Sequence, residues 1–437
     1  MIPVEYEETC PYIYNNFIYK IQLSQPLTPT TFSGGKQRAG TSVPPDLGSG
    51  ASNTVILRLS NPHAEGLNNA HRVENELASQ HLFRQQLSAH HPGLAHLIPA
   101  VYAWQPSRYS DLRDETGFGW TICEFMPGVN LNAQFDEMDL PEKLAVVEQV
   151  ADILAALQRT IPPTLLATGH LGGLTFDGSG QVVGGQTSIL PPGPWENYAE
   201  MWLSRLLQQV HEAERSSALK GWQEVDGVRA RIDSSITADT VARLVQGVDT
   251  TQRTLVHGDF CKSASYPSAG GVANQATNVT AMGNMLFDTS TKKVTALLDF
   301  DFSWVSHPAH EFITGLWDVG GGLQLGDEKL QEAVFSGRFD GLEDDGEAPS
   351  ADSRTTWEVA KAWDSALAAR DAIRPSKIQG IRQVQKLMTL EGALCPHQLS
   401  SVVRIERLRK ESPEKLAEAV KRAADRLMTL LDDIAPR

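Results

Sequence analysis

Apolar and polar positions change their period along the chain, and the change divides it. FIYKIQL, from Phe17 to Leu23, and TVILRL, from Thr54 to Leu59, are β-branched and aromatic runs of strand length. Residues 24–53 between them are rich in Gly, Ser, Pro and Thr, as in SGGKQRAG and DLGSGAS, which predicts a long, mobile hairpin connection. AHRVENELASQHLFRQQL follows with Val73, Leu77 and Leu82 at near-helical spacing. LIPAVYAW and GWTICEFMPG supply further strands before Pro127 and Gly128 break the run. Beyond that point the period becomes helical. LPEKLAVVEQVADILAALQRT places Leu144, Val147, Val150, Ile153, Leu154 and Leu157 on one face, with Pro141 in the first turn where its missing N–H does no harm. WENYAEMWLSRLLQQV and ADTVARLVQGV have the same character. TLVHGDF, then NMLFD and VTALLDFDF, interrupt the helices as strands, and mixed-charge amphipathic helices run to the C-terminus. The pattern predicts an α+β chain of two lobes: a small β-rich lobe over residues 1–125, including the loop 24–53, and a larger, mainly helical lobe over 126–437. The run from Ile122 to Gly128 is the hinge, and no internal repeat is evident.

Composition narrows the functional classes. The chain has 437 residues and a formal charge of −15, so a phosphate backbone would meet a repulsive net field, and general nucleic-acid binding is disfavoured. Cys10, Cys123, Cys261 and Cys395 form no CxxC pair, which suggests neither a zinc site nor a disulfide framework. MIPVEYEETCPY carries acids where a signal peptide needs a basic start, and no apolar run reaches membrane-spanning length. A cytoplasmic protein without membrane partners is expected, which makes the Asn278 sequon a chance match.

The chemistry concentrates in one region. His257-Gly258-Asp259 follows the apolar run Thr254–Val256; Asn284-Met-Leu-Phe-Asp and Ala296-Leu-Leu-Asp299-Phe-Asp301 lie downstream. Phosphoryl transfer needs a carboxylate to position an acceptor hydroxyl and oxygen ligands to hold magnesium against the phosphates. Asp, then Asn, then a strand-end Asp is the order in which kinases present those groups. In the bland alternative, a strand-turn-strand hairpin has solvated acids.

At these residues the sequence resembles the aminoglycoside phosphotransferase family, the small-molecule kinases related to choline kinases and protein kinases. The resemblance is specific over residues 254–303 and weaker in the first lobe. It implies a bilobal protein-kinase-like fold, ATP as phosphoryl donor, Mg2+, and a hydroxylated small molecule as acceptor. Carried over residue by residue, it makes Asp259 catalytic and Asn284 and Asp299 metal-binding. Asp301 is near the metal by chain position, and His257 reads as a buttress of the loop rather than a proton carrier.

In the first lobe such an enzyme needs a cation on the third strand to hold phosphates, paired with a helix Glu. Arg58 stands where a lysine is expected; guanidinium is always charged and grips phosphate oxygens through two donors. Its expected partner is Glu76, with Glu74 the alternative, and Lys20 is a second candidate cation. The hinge implies backbone groups of Glu124 and Met126 at an adenine edge. One departure stands out: the turn before FIYKIQL, TCPYIYNNF, has no glycine and forms no GxGxxG cradle. Farther on, in SWVSHPAHEFITGLWD, Glu311 is expected to brace the catalytic loop, and the acidic stretch 343–347 reads as a solvated face.

A second departure lies inside the catalytic loop. Asp259 and Asn284 are separated by 24 residues, including CKSASYPSAGGVANQATNVTA, whereas the resemblance places the Asn just after the Asp. Both side chains must reach one cluster with ligand oxygens about 2 Å from the metal, so an insertion is tolerable only if its ends return to the same place. Closing such a loop costs roughly a few kcal/mol by the logarithmic scaling. Alternatively, residues 261–281 are a retained intron. Cys261-Lys262-Ser263 is encodable with GTAAGT, a splice-donor sequence, Thr277-Asn278 with a branch-point-like ACTAAC, and Thr280-Ala281 with an ACAG acceptor. Excision in frame leaves HGDFSMGNMLFD. The sequence therefore favours an ATP-dependent phosphotransferase acting on a small-molecule hydroxyl. A catalytically impaired, kinase-like nucleotide-binding or scaffold protein is the alternative.

Overall fold

A computed structural model describes residues 2–3, 14–34, 37–46, 52–64, 66–107, 117–260, 283–314, 327–340 and 350–435. The 261–281 segment, the acidic stretch 343–347, Trp317 and most of TCPYIYNNF lie outside the described residues. The strands in chain order are β1 (Ile2–Pro3), β2 (Asn16–Gln22), β3 (Thr54–Ser60), β4 (Val101–Gln105), β5 (Gly119–Glu124), β6 (Val129–Asn130), β7 (Gly173–Phe176), β8 (Val182–Gly185), β9 (Thr254–Val256), β10 (Met285–Asp288), β11 (Lys293–Leu297) and β12 (Trp304–Ser306). The helices are α1 (Arg72–His90), α2 (Leu131–Phe135), α3 (Leu140–Gln158), α4 (Pro163–Ala167), α5 (Tyr198–Arg215), α6 (Val228–Ser235), α7 (Ala238–Leu244), α8 (Ala309–Thr314), α9 (Glu328–Ser336), α10 (Ala351–Ala369), α11 (Ile381–Leu394), α12 (His397–Ser400), α13 (Val402–Glu411) and α14 (Pro413–Asp433). Among the described residues no helix is long and apolar enough to cross a membrane.

The chain divides into two compact units. The first comprises Met1–Glu5, Asn15–Pro194 and Thr251–Ile378, the second Tyr6–Tyr14, Trp195–Thr250 and Gln379–Arg437. The lobe boundary expected at residues 125 and 126 therefore falls inside the first unit.

In the first unit a five-stranded antiparallel sheet runs in the order β1-β2-β3-β5-β4. Its register is regular from Asn16 opposite Ser60 to Gln22 opposite Thr54, as the β-branched runs predict. The connection from β2 to β3 departs from the mobile loop expected. Leu27 is buried with Val55, Ala100 and Tyr102, and Phe32 stacks on Tyr102 at 5.5 Å. Ser42 N donates to Val101 O at 2.7 Å, and Trp104 Nε1 donates to Ala39 O at 2.9 Å. The first bond gives the Val101 carbonyl of edge strand β4 a partner, and the second gives one to the Trp104 indole.

Helix α1 is buried nearly all round. Val73 and Leu77 join Val101 and Trp104 in one core cluster, as their spacing predicts, and the helix also lies on the β7–β8 hairpin, which the helical reading of this region did not anticipate. Pro127 and Gly128 end the β5 run. Gly128 has φ +136, and a Cβ there would come within 2.6 Å of Thr295 Oγ1; that hydroxyl donates to Pro127 O at 2.7 Å. Helix α3 starts on Asp139, whose carboxylate caps Glu142 N at 2.9 Å, and it packs on α10.

The second unit is helical. Helix α5 packs against α7 and α11, and α14 packs against α6, α11 and α13. Arg205 holds Glu391 through two bonds of 2.9 and 3.1 Å, and the buried Trp222 donates to Leu394 O at 2.8 Å.

Candidate active site

Every expected site residue lies in the first unit. The apolar run Thr254–Val256 forms β9, buried throughout and paired with β12. The chain then turns at Gly258, with φ +76. A Cβ there would stand 2.4 Å from Phe302 O, so the middle position of His-Gly-Asp admits only glycine.

Four contacts fix this turn. His257 N donates to Glu311 Oε2 at 2.6 Å, and Gly258 N–H is a second donor to the same carboxyl. Ser303 Oγ donates to His257 O at 3.1 Å. His257 Nε2 faces Leu298 O at 3.0 Å; a carbonyl only accepts, so Nε2 carries the proton. Burial lowers the imidazole to about 4, so His257 is neutral near pH 7. The ring lies 4.7 Å from Phe300, which in turn meets Phe83 of α1 at 6.0 Å. His257 is thus the buttress the sequence suggested. Burial also raises Glu311, up to about 8 against the pull of the two backbone N–H donors. A neutral Glu311 still accepts both bonds.

The two halves of the interrupted loop meet. Asn284 Nδ2 donates to Asp259 O at 2.8 Å, Asn130 Nδ2 donates to Gly283 O at 3.1 Å, and Leu298 N donates to Asn284 O at 2.8 Å. The first bond orients the Asn284 amide and turns Oδ1 away. Among the described residues Oδ1 accepts no hydrogen bond.

Asp299 stands two residues beyond β11 with φ +61, a left-handed conformation that costs a non-glycine residue energy and tends to mark functional positions. Its Oδ1 accepts from Arg58 Nη2 at 2.6 Å, leaving Oδ2 without a hydrogen bond among the described residues. Asn284 Oδ1 and Asp299 Oδ2 are hard oxygen donors of the kind Mg2+ takes; the donor set fits that ion.

Arg58 is the hub. Its Nη1 contacts Glu76 Oε1, and its Nη2 reaches Asp299 at 2.6 Å and Asp301 Oδ2 at 3.3 Å. The choice between Glu74 and Glu76 thus falls on Glu76. Burial alone would lower the Arg58 pKa, but Asp299, Glu76 and Asp301 outweigh it and hold it above the ordinary value. Glu76 shifts upward, because burial and the neighbouring carboxylates exceed the pull of a guanidinium it must share. Lys20 is engaged elsewhere: its Nζ sits 4.2 Å above the Phe125 ring.

The two residues expected at an adenine edge behave differently. Met126 lies beyond β5, and its backbone N–H and C=O make no hydrogen bond among the described residues. Of the Glu124 backbone groups expected at an adenine edge, the N–H is already used. Glu124 N donates to Ala100 O at 2.8 Å, and its carboxylate accepts from Ala100 N at 3.0 Å. The pairing of β5 with the start of β4 extends to this residue, and a buried N–H in a sheet takes a partner.

Sequence reasoning missed the group behind Arg58. Arg72, at the start of α1, donates through Nε to Asp301 Oδ1 and Oδ2 at 2.8 and 2.9 Å. Arg72 Nη2 donates to Asn15 O at 2.7 Å and Asn16 Oδ1 at 2.6 Å, and Asn16 Nδ2 donates to Asp301 Oδ2 at 3.2 Å. Burial works against the Asp301 charge, but Arg72 and Arg58 lower its pKa overall. One signal was available: in RVENELAS the polar residues Arg72, Asn75, Glu76 and Ser79 recur at core-facing helical spacing, and all four are buried.

The model of the phosphotransferase enzyme family matches residues 46–263. No curated protein matches the sequence. Among solved structures, one similar chain is a thermostable mutant of aminoglycoside phosphotransferase APH(4)-Ia in ternary complex with AMP-PNP and hygromycin B, at 13% identity, covering 100% of this chain and 94% of that one with a TM-score of 0.41. A gentamicin complex of APH(2")-IIa is similar at 12% identity, covering 85% of each chain, with a TM-score of 0.38. Aminoglycoside phosphotransferase APH(3'')-Id from Streptomyces rimosus is similar at 13% identity over 71% of this chain and 86% of that one, with a TM-score of 0.31.

Proposed function

The chain belongs, through residues 46–263, to the phosphotransferase enzyme family, and on that premise we propose that it transfers the γ-phosphoryl group of ATP to a hydroxyl of a small molecule. The observation that carries this reading is the bond from Asn284 Nδ2 to Asp259 O, which rejoins a catalytic loop that the sequence interrupts. Asp259 orients the acceptor hydroxyl and takes its proton as the oxygen attacks the γ-phosphorus. The bond from that phosphorus to the bridging oxygen breaks, and ADP leaves with the electron pair. Arg58, anchored by Glu76, holds the donor's phosphates through paired N–H groups, and the backbone of Met126 meets the base. Asn284 and Asp299 hold Mg2+, which when bound neutralises charge on the phosphates.

The test is Mg2+-dependent ATP consumption over a panel of hydroxylated metabolites. Asp259→Ala is expected to lower kcat about 100- to 10,000-fold, and Asp299→Ala to remove the magnesium-dependent rate. Turnover that survives both substitutions would falsify the assignment.

A second reading has its own support: Arg58 neutralises Asp299 at 2.6 Å, as a nucleotide-binding protein without turnover would tolerate. ATP binding without consumption, in the full chain and in a chain lacking residues 262–281, favours that reading. Spliced messages that all contain the segment would rule out the intron.

A further inference from the structure

We propose that Asp301 is a positioning residue for phosphoryl transfer, one that keeps Arg58 in place while Asp299 passes from Arg58 to the metal; the assignment rests on the function proposed above. Chain position alone would put Asp301, two residues after Asp299, among the metal ligands. Its surroundings argue otherwise. The residue is completely buried, and both carboxylate oxygens accept from Arg72 Nε at 2.8 and 2.9 Å. Oδ2 also accepts from Asn16 Nδ2 at 3.2 Å and Arg58 Nη2 at 3.3 Å. Asp299 is partly exposed and keeps one oxygen open.

The same guanidinium nitrogen, Arg58 Nη2, serves both aspartates. For Mg2+ and nucleotide to bind, Asp299 must release Arg58 to the phosphates. A freed Arg58 held only by Glu76 would keep a single anchor, whereas Asp301 supplies a second on the opposite nitrogen. Arg72 ties that second anchor to the backbone of Asn15 and the side chain of Asn16, where the glycine-free turn enters β2. The clasp therefore fixes three things at once: the phosphate-holding arginine, the strand that carries the metal ligand, and the start of the strand beneath the nucleotide. Buried ion pairs contribute weakly to stability when compared with well-packed apolar residues, so this geometry is better explained by the placement of Arg58 than by the folding of the unit.

The experiment is calorimetric binding of Mg·ATP to the full chain at several magnesium concentrations, which needs no knowledge of the acceptor. Asp301→Asn is expected to weaken Mg·ATP binding about 10-fold while leaving the magnesium concentration for half-maximal binding unchanged. Asp299→Asn is expected to raise that concentration. The doubly apolar variant Arg72→Met with Asp301→Leu guards against simple misfolding: it is expected to melt within a few degrees of the parent yet bind Mg·ATP as poorly as Asp301→Asn. If Asp301→Asn shifts the magnesium requirement as Asp299→Asn does, Asp301 is a ligand and the proposal falls. If the apolar pair binds Mg·ATP like the parent, the clasp is merely structural and the proposal also falls. Failure of the unsubstituted chain to bind Mg·ATP overturns the function itself, a result distinct from either.

Discussion

Helices α1 and α14 are close in length, at 19 and 21 residues, but only α1 buries polar and charged side chains beside its apolar ones. Helix α14 is ordinary: Ala419, Ala424, Leu427 and Leu431 face inward and its charged residues face water. Helix α1 buries Arg72, Asn75, Glu76 and Ser79 along with its leucines. A helix whose task is packing sorts apolar from polar. One that carries charge into a site takes polar groups inside and has to partner its charges and amides, since a buried polar group without a partner is costly; of the four, only the Ser79 hydroxyl has no hydrogen-bond partner among the described residues. On α1 the cation Arg72 finds an anion, and the anion Glu76 finds Arg58. The amide of Asn75 donates to Ser188 Oγ at 2.9 Å and Ser303 O at 2.8 Å while accepting from Leu174 N at 2.7 Å.

The difference can be tested by removing polar groups from each helix. Arg72→Met leaves the buried Asp301 charge to the longer bonds from Arg58 and Asn16 and is expected to destabilise the first unit by about 3 kcal/mol in denaturant unfolding; a loss no larger than that of a surface substitution would mean that water reaches the clasp. Asn75→Ala leaves Leu174 N–H and Ser303 C=O without their partner, an expected loss of about 2–4 kcal/mol, read from the same curves.

Glu311 extends the comparison to pH. Its folded value of about 8 stands above the ordinary 4.5, so between those values the folded chain holds a proton that the unfolded chain releases. Its contribution to stability is full below about 4.5 and fades as pH rises toward 8. Glu311→Gln is expected to match the parent at pH 5 and to flatten the alkaline decline, whereas Glu311→Ala loses the acceptor for His257 N–H at every pH. His257, lowered to about 4 from 6.5, acts on the opposite side: stability falls as pH drops through that window. Thermal melts from pH 4 to 9 would separate the two arms. At the small end, Arg422→Ala breaks the exposed pair with Glu418 on α14, and the melting midpoint is expected to stay where it was. A clear drop there would erase the contrast between the helices.

Local pattern made much of this legible. His257-Gly258-Asp259 and the Asp299 strand end each follow from a few adjacent residues, and a glutamate partner for Arg58 on α1 was readable too, although the choice of Glu76 over Glu74 needed the side-chain contact. Asn284 was legible despite the interruption because its apolar flanks mark β10. The clasp was not: Asn16 and Asp301 are 285 positions apart, and no local period records such a contact. Glu124 shows a different limit. Its place at the end of a strand was readable, but whether its N–H is spent depends on how far β5 pairs with β4, which is a matter of register. The docking of the β2–β3 loop was hidden for a related reason, since Leu27 and Phe32 are isolated apolar residues in a polar stretch and gain meaning only against Tyr102.

The rejoined loop bears on how this chain can be divided. Residues 260 and 283 are held beside each other by Asn284, Asn130 and the strands they belong to, so the covalent path between them is one tether among several. A cut between residues 260 and 283 would leave two pieces that Asp259 and Asn284 already join by a noncovalent bond. Two separately encoded pieces ending and beginning there make a natural design for complementation, in which phosphoryl transfer would report that the halves have met.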